Sequence, residues 1–191
     1  LIAQKDLDSK TRYIPKKVIP SNRGEFKNKI AIIGGGPAGL SCAYYLALTG
    51  YRPIVFEKNE KPGGMLTYGI PSYKLEKDVV EAEIDIIRAL GVEIKCGVEV
   101  GKDITLDELR KDGYEAFYIA IGCQGSRKSG VDGEDADGVM SAVDILHEIA
   151  ENHDLDLKGN KTVVIGGGNV AVDVARSTKR CGADVLGMFC L

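Results

Sequence analysis

The stretch Lys29-Ile30-Ala31-Ile32-Ile33-Gly34-Gly35-Gly36-Pro37-Ala38-Gly39 decides the fold. The apolar run Lys29 to Ile33 predicts a short buried strand, and the glycines predict a turn. Pro37 to Thr49 predicts a helix that Gly50 stops, with proline at its first turn and glycine just past its end. Arg52 to Glu57 predicts a second strand. The whole unit has about 30 residues, the size of a parallel strand–helix–strand crossover. Gly34 permits the tight turn, Gly36 lets backbone approach a diphosphate, and Gly39 lets the helix pack close to the strand. Amide groups at the helix start, with its positive end, then attract the phosphates. Glu57, at the end of the second strand, is placed to accept hydrogen bonds from a ribose hydroxyl pair.

The same pattern returns 132 residues later, from Gly34 to Gly166 and from Gly50 to Gly182. Lys161 to Ile165 predicts a strand, Gly166-Gly167-Gly168-Asn169-Val170-Ala171 is the G-x-G-x-x-A variant, and a helix runs to Cys181. Asp184 to Cys190 predicts the closing strand. At this offset Glu57 corresponds to Phe189, so the position that chooses between a ribose hydroxyl and a 2′-phosphate falls at Cys190 and Leu191 or beyond. NAD against NADP stays open.

Between the two units, residues 58–74 predict a loop rich in Gly, Pro and Tyr. Leu75 to Leu90 predicts an amphipathic helix with Leu75, Val79, Ala82, Ile86 and Leu90 on one face. Strands are expected at 92–95, 97–100 and 114–121, and helices at 105–110 and 141–151. Thr105 and Glu108 have the spacing of a capping box. The loop Pro62 to Pro71 reads either as a cover for an aromatic ring or as an ordinary surface loop. Residues 1–28 predict an extended lead-in.

Composition excludes several classes. The net charge of −3 gives no general field for nucleic acid, and the basic cluster Lys10–Lys17 reads as a solvated tail. No apolar run is long enough for a membrane span. Five dispersed cysteines without Cys-x-x-Cys read as reduced thiols of a cytoplasmic protein, with no metal site in this chain. His147 and His153 read as solvated helix residues, and the acids of 132–137 as a solvated turn. No side chain has the setting of a general base, so no catalytic residue is expected.

Ile30–Leu40, Pro62–Val80 (PGGMLTYGIPSYKLEKDVV), Tyr118–Arg127 and Val163–Arg176 (VVIGGGNVAVDVAR) resemble the family of the small (beta) subunit of NADPH-dependent glutamate synthase. The flavoprotein part of dihydropyrimidine dehydrogenase and NADH-dependent ferredoxin oxidoreductases share these segments. The resemblance implies an α/β fold: a Rossmann-like FAD-binding domain of the glutathione-reductase class, here 29–157, followed by the start of an inserted NAD(P)-binding unit, 158–191. It implies FAD and NAD(P)H as cofactors. Gly34, Gly36, Pro37, Ala38 and Gly39 would hold the FAD pyrophosphate, with Glu57 on the adenosine ribose and Lys58 beside it. Gly64, Leu66, Gly69 and Ile70 would lie by the flavin, Val98 near the adenine, and Ala120 and Gly122 near the pyrophosphate. Gly166, Gly168, Asn169 and Val170 would receive the nicotinamide cofactor.

The implied reaction passes a hydride from nicotinamide to flavin, then single electrons to an iron–sulfur domain or subunit. The cysteine-rich front and the arginines after the second strand, usual in these relatives, are not in this chain, and the isolated fragment is expected to be inactive. An unpaired strand edge predicts homo-oligomers. Two other readings stay open. One is a thioredoxin-reductase-like flavoprotein, which the missing Cys-x-x-Cys opposes. The other is a nucleotide-binding fragment without turnover.

Overall fold

A computed structural model describes residue 5 and residues 24–190, apart from 127, 129, 153 and 154. The basic cluster Lys10–Lys17, His153 and Leu191 lie outside the described residues. The described chain forms two compact units. One comprises the residues up to Thr67 and Leu75–Gly122; the other comprises Tyr68–Lys74 and the residues from Cys123 on.

The first unit is built on four parallel strands: β1 (Lys29–Ile33), β2 (Ile54–Glu57), β3 (Glu93–Cys96) and β4 (Tyr114–Ile119). Their order is β3-β2-β1-β4, with Ile33 opposite both Phe56 and Ile119. Both faces of this sheet are covered, which is why β1 is apolar without alternation. On one face Ile32 and Val55 pack with Ala43 and Ala47 of helix α1 (Pro37–Thr49). Both alanines are fully buried, so the helix axis comes close to the sheet. On the other face Ala31, Ile33 and Phe56 meet Leu109 of helix α4 (Leu106–Lys111) and Tyr114. The capping box holds as expected: the Thr105 side chain accepts from the Glu108 amide, and the Glu108 carboxylate accepts from the Thr105 amide.

The loop expected over 58–74 contains one helical turn, α2 (Met65–Tyr68), closed by Leu66 N–H on the Gly63 carbonyl at 3.1 Å and Thr67 Oγ1 on the Pro62 carbonyl at 2.7 Å. The amphipathic helix α3 (Lys77–Ala89) starts two residues later than expected. The strand expected at 97–100 is absent. Gly97, at φ 70°, turns the chain out of the ladder, and Val100 makes an isolated bridge to Ile104.

In the second unit β5 (Lys161–Ile165) pairs in parallel with β6 (Asp184–Phe189), and helix α6 (Asn169–Arg180) connects them. Helix α5 (Ala142–Glu151) falls in the stretch that the sequence groups with the first domain. Its Ile145 and Leu146 nevertheless pack on Val164, Ala171, Val174 and Ala175. No helix among the described residues is long and apolar enough to cross a membrane.

Candidate functional site

In the first unit the chain leaves β1 toward β2 on one side, while β4 lies on the other. Ligands in open parallel sheets bind in the crevice at such a reversal of strand order, beyond the carboxyl ends of the strands. The glycine turn Gly34–Gly36 lies at this point. Gly34 has φ 107°, and a methyl group on it would overlap the Ala120 carbonyl. A methyl on Gly39 would overlap the Gly34 carbonyl, so the helix start is seated against the turn. The Ala120 amide extends the ladder to the Ile33 carbonyl at 2.8 Å, which brings Ala120 and Ile121 beside Gly34, with the expected Gly122 next along the chain.

Glu57 is only 4% exposed. Its Oε2 accepts from the Gly35 amide at 2.7 Å and its Oε1 from the Asn59 amide at 2.9 Å. Each oxygen keeps a second lone pair for a further donor. The Val98 amide donates to the Glu57 carbonyl at 3.0 Å, which sets the expected Val98 next to this acid, with Lys58 following it on the chain. The Gly63 amide donates to the Gly35 carbonyl at 2.7 Å, and Gly64 lies in backbone contact range of Gly36. Leu66 packs with Leu40, Val80 and Ile84, and its carbonyl accepts from Lys77 Nζ at 2.7 Å. Burial pulls the Lys77 ammonium below its ordinary range. Gly34, Gly36, Pro37, Ala38, Gly39, Glu57, Gly64, Leu66, Val98 and Ala120 thus gather in one unit. Gly69 and Ile70 belong to Tyr68–Lys74, which groups with the other.

The helix starts among the described residues divide by chemistry. Thr105 and Ser141 cap α4 and α5 with their side chains. Gly36 and Gly168, before α1 and α6, supply no side-chain cap. Glu76, before α3, makes no side-chain cap either, but there Asp78 stands in the first turn and accepts from the Val79 amide. Helices α1 and α6 have no acid in the first turn, and their first-turn amides suit an anion.

The second turn repeats the first. Gly166 N–H donates to the Phe189 carbonyl at 2.7 Å, as Gly34 N–H donates to the Phe56 carbonyl at 2.8 Å. Ile165 lies opposite Phe189, as Ile33 lies opposite Phe56. The expected match of Glu57 with Phe189 is therefore one residue out. A bulge is the reason: Thr162 faces Val185 but Val163 faces Gly187, so Leu186 is an extra residue in β6. The counterpart of Glu57 is Cys190. A Cβ on Gly167 would come 2.9 Å from the Cys190 Cβ, where a Cβ on Gly35 would come 3.2 Å from the Glu57 Cβ. Gly166, Gly168, Asn169 and Val170 all lie at this β5–α6 turn.

Sequence reasoning missed the Gly35 and Asn59 amides, because backbone donors carry no residue signature. It also misplaced His147. Rather than being solvated, the ring stacks on Tyr68 at 4.6 Å between centroids, and its Nε2 lies 2.9 Å from Glu151 Oε1.

Comparison with known proteins agrees with this architecture. The chain is 48% identical over 157 residues to the NADP(+)-dependent formate dehydrogenase subunit beta of Moorella thermoacetica, covering 81% of this chain and 22% of that protein. It is 40% identical over 165 residues to the glutamate synthase [NADPH] small chain of Escherichia coli (strain K12), covering 81% of this chain and 35% of the relative. The chain thus spans about a quarter to a third of the length of these relatives. The structure of Mycobacterium tuberculosis FprA in complex with NADPH superposes with a TM-score of 0.67 at 28% identity, over 78% of this chain and 36% of that one. Residues 28–187 match the family described as pyridine nucleotide-disulphide oxidoreductase, and the chain belongs to that family.

Proposed function

We propose that this chain is the flavin- and nicotinamide-binding front of an NAD(P)H-dependent oxidoreductase of the glutamate synthase small-chain type. FAD occupies the first turn and NAD(P)H the second. The observation that carries this reading is the pair of glycine turns, each opening a helix that, among the described residues, has neither a side-chain cap nor an acid in its first turn.

The residues present fit the groups. Among the described residues, a methyl on Gly36 would meet only Gly64, and nothing stands within 4 Å of a methyl on Gly168. Glu57, held by two amides, presents its remaining lone pairs to the FAD ribose, with Lys58 beside it. Pro37 and Ala38 line the start of α1, and Ala120 closes the turn from β4, with Gly122 two residues farther on. Gly64 and Leu66 are set against the first turn, and Gly69 and Ile70 follow them in the same loop of the chain. Gly166, Gly168, Asn169 and Val170 present the α6 amides to the nicotinamide dinucleotide. The FAD-binding domain, expected over 29–157, takes these residues from the part up to Gly122. The NAD(P)H unit, expected from 158, is completed by α5.

A bound flavin accepts hydride from reduced nicotinamide and releases electrons singly. The protein's part is placement: backbone amides for the diphosphates, one carboxylate for a ribose, small residues where a ring approaches. The electron acceptor is an iron–sulfur domain or subunit. That assignment is supported by relatives that are themselves named as a subunit of a formate dehydrogenase and a chain of glutamate synthase.

Anaerobic absorbance spectroscopy after reconstitution with FAD tests the reading. Flavin absorbance that bleaches with NADPH or NADH is expected. Flavin without bleaching leaves a binding module, and no bound flavin overturns the proposal.

A further inference from the structure

The segment Tyr68–Lys74 groups with the second unit although the chain on both sides of it belongs to the first. Its side chains give the reason. Tyr68 is buried and stacks on His147 of α5. The ring of Tyr73 lies under two guanidinium groups of α6, with Arg176 at 4.7 Å and Arg180 at 3.9 Å from its centroid. The Tyr73 hydroxyl stands 3.4 Å from Asp173 Oδ1, the same oxygen that forms an ion pair with the Lys74 ammonium. Asp173 is 8% exposed.

The position of Asp173 on α6 gives this cluster a consequence. It follows Asn169, the first residue of the helix, by four, so the two share a face. Four residues rise about 6 Å along a helix, and side chains lean toward its amino end. By this helix geometry, an Asp173 carboxylate without its ion pair would act against a diphosphate bound on the first-turn amides. Lys74 cancels that charge.

We propose that Lys74 and Asp173 form an electrostatic clamp: the Tyr68–Lys74 strap, when seated on α6, neutralises Asp173 and makes the second glycine turn receptive to an anionic dinucleotide. Lys74 and Asp173 are positioning residues, acting on the ligand through the charge of the helix start. Dinucleotide binding and strap seating are then linked, and the linkage is reciprocal. The clamp rests on the reading of Gly166–Val170 as a nicotinamide dinucleotide site.

The test uses the full-length, flavin-loaded protein, with NADP+ and NAD+ as probes and calorimetry as readout. Lys74→Met is expected to weaken binding about fivefold, the effect of one uncompensated charge in a partly screened setting. Lys74→Arg keeps the charge and binds as the wild type does. Lys74→Met combined with Asp173→Asn restores binding to within about twofold, an interaction that simple loss of structure would not produce. Hydrogen exchange supplies a second readout. NADP+ slows exchange at 68–74 in the wild type; in Asp173→Asn it slows exchange only at the α6 start. Unchanged affinity in Lys74→Met, or a double variant weaker than the single, overturns the clamp and leaves the site reading intact. Failure of the wild type to bind either dinucleotide overturns both.

Discussion

The Glu57 carboxylate receives the Gly35 amide at 2.7 Å, so the acid that ends β2 holds the middle of the glycine turn that follows β1. Two neighbouring strands, β1 and β2, are thereby tied at their carboxyl ends, next to the β1–β4 reversal of strand order. The same carboxylate also takes the Asn59 amide, so removing it orphans two backbone donors. Glu57→Ala is expected to cost about 1–3 kcal/mol for each donor left without a partner inside the protein. Glu57→Gln keeps the volume and should lose less. Urea unfolding of the apoprotein measures the first effect, and fluorescence titration with FAD measures the loss of affinity. Unchanged midpoints in Glu57→Ala would show that water replaces the acid without penalty.

Gly39 and Ala171 occupy the same place in the two turns, and their replacements should behave differently. A methyl on Gly39 overlaps the Gly34 carbonyl and comes 3.1 Å from Ile32 Cγ2. Gly39→Ala should therefore force the helix away from the turn, at about 1–3 kcal/mol, with weaker FAD binding. In the second turn a methyl is already present, and the Ala171 Cβ would lie 3.5 Å from one built on Gly166, which is ordinary contact. Ala171→Gly should cost about 1 kcal/mol, chiefly as lost helix propensity. Thermal midpoints of the two variants make the comparison. Equal shifts would contradict the packing difference.

Cys190 stands where Glu57 stands in the first turn, against the middle glycine. A thiol there neither accepts a ribose hydroxyl pair strongly nor repels a 2′-phosphate. Cys190→Glu should move the NAD+ to NADP+ affinity ratio toward NAD+ on the order of tenfold, or about 1.4 kcal/mol. Calorimetric titration with each dinucleotide reads the ratio directly. A ratio that does not move would place ribose selection elsewhere.

The thiols should separate by pH and exposure. Burial raises Cys42, Cys96 and Cys181 above the ordinary thiol range, with Glu57 adding to the rise at Cys96 and Asp156 at Cys181. Cys123 and Cys190 are exposed. Because the thiolate is the reactive form, a raised value delays reaction to higher pH. Iodoacetamide at pH 8, followed by peptide mass spectrometry, should label Cys123 and Cys190 first. The other three should follow only as pH climbs, and NADP+ should slow labelling at Cys190. The same shift fixes the sign of the stability change. The unfolded state loses these three protons first, so their contribution to stability falls as pH rises through the ordinary thiol range.

Much of the first site was legible because its signals are local. Gly34, Gly36 and Gly39 are required by a turn that spans six residues, and Glu57 follows from the length of one crossover. The capping box of Thr105 and Glu108 is equally local. What the sequence misread depends on pairing at a distance. The match of Glu57 with Phe189 failed because the Leu186 bulge leaves no mark in a count of residues. His147 looked solvated because nothing near it in the chain announces Tyr68, some eighty residues earlier.

Taken alone, the sequence determined two strand–turn–helix–strand units and the chemistry of their turns, since periodicity and glycine act within a few residues of themselves. Tertiary structure decided which carboxylate meets which amide, that Cys190 takes the place of the acid in the second turn, and that Tyr68–Lys74 packs with α6. Those outcomes come from strand register and from burying side chains against partners far along the chain, where the free energy belongs to the contact and not to either residue by itself.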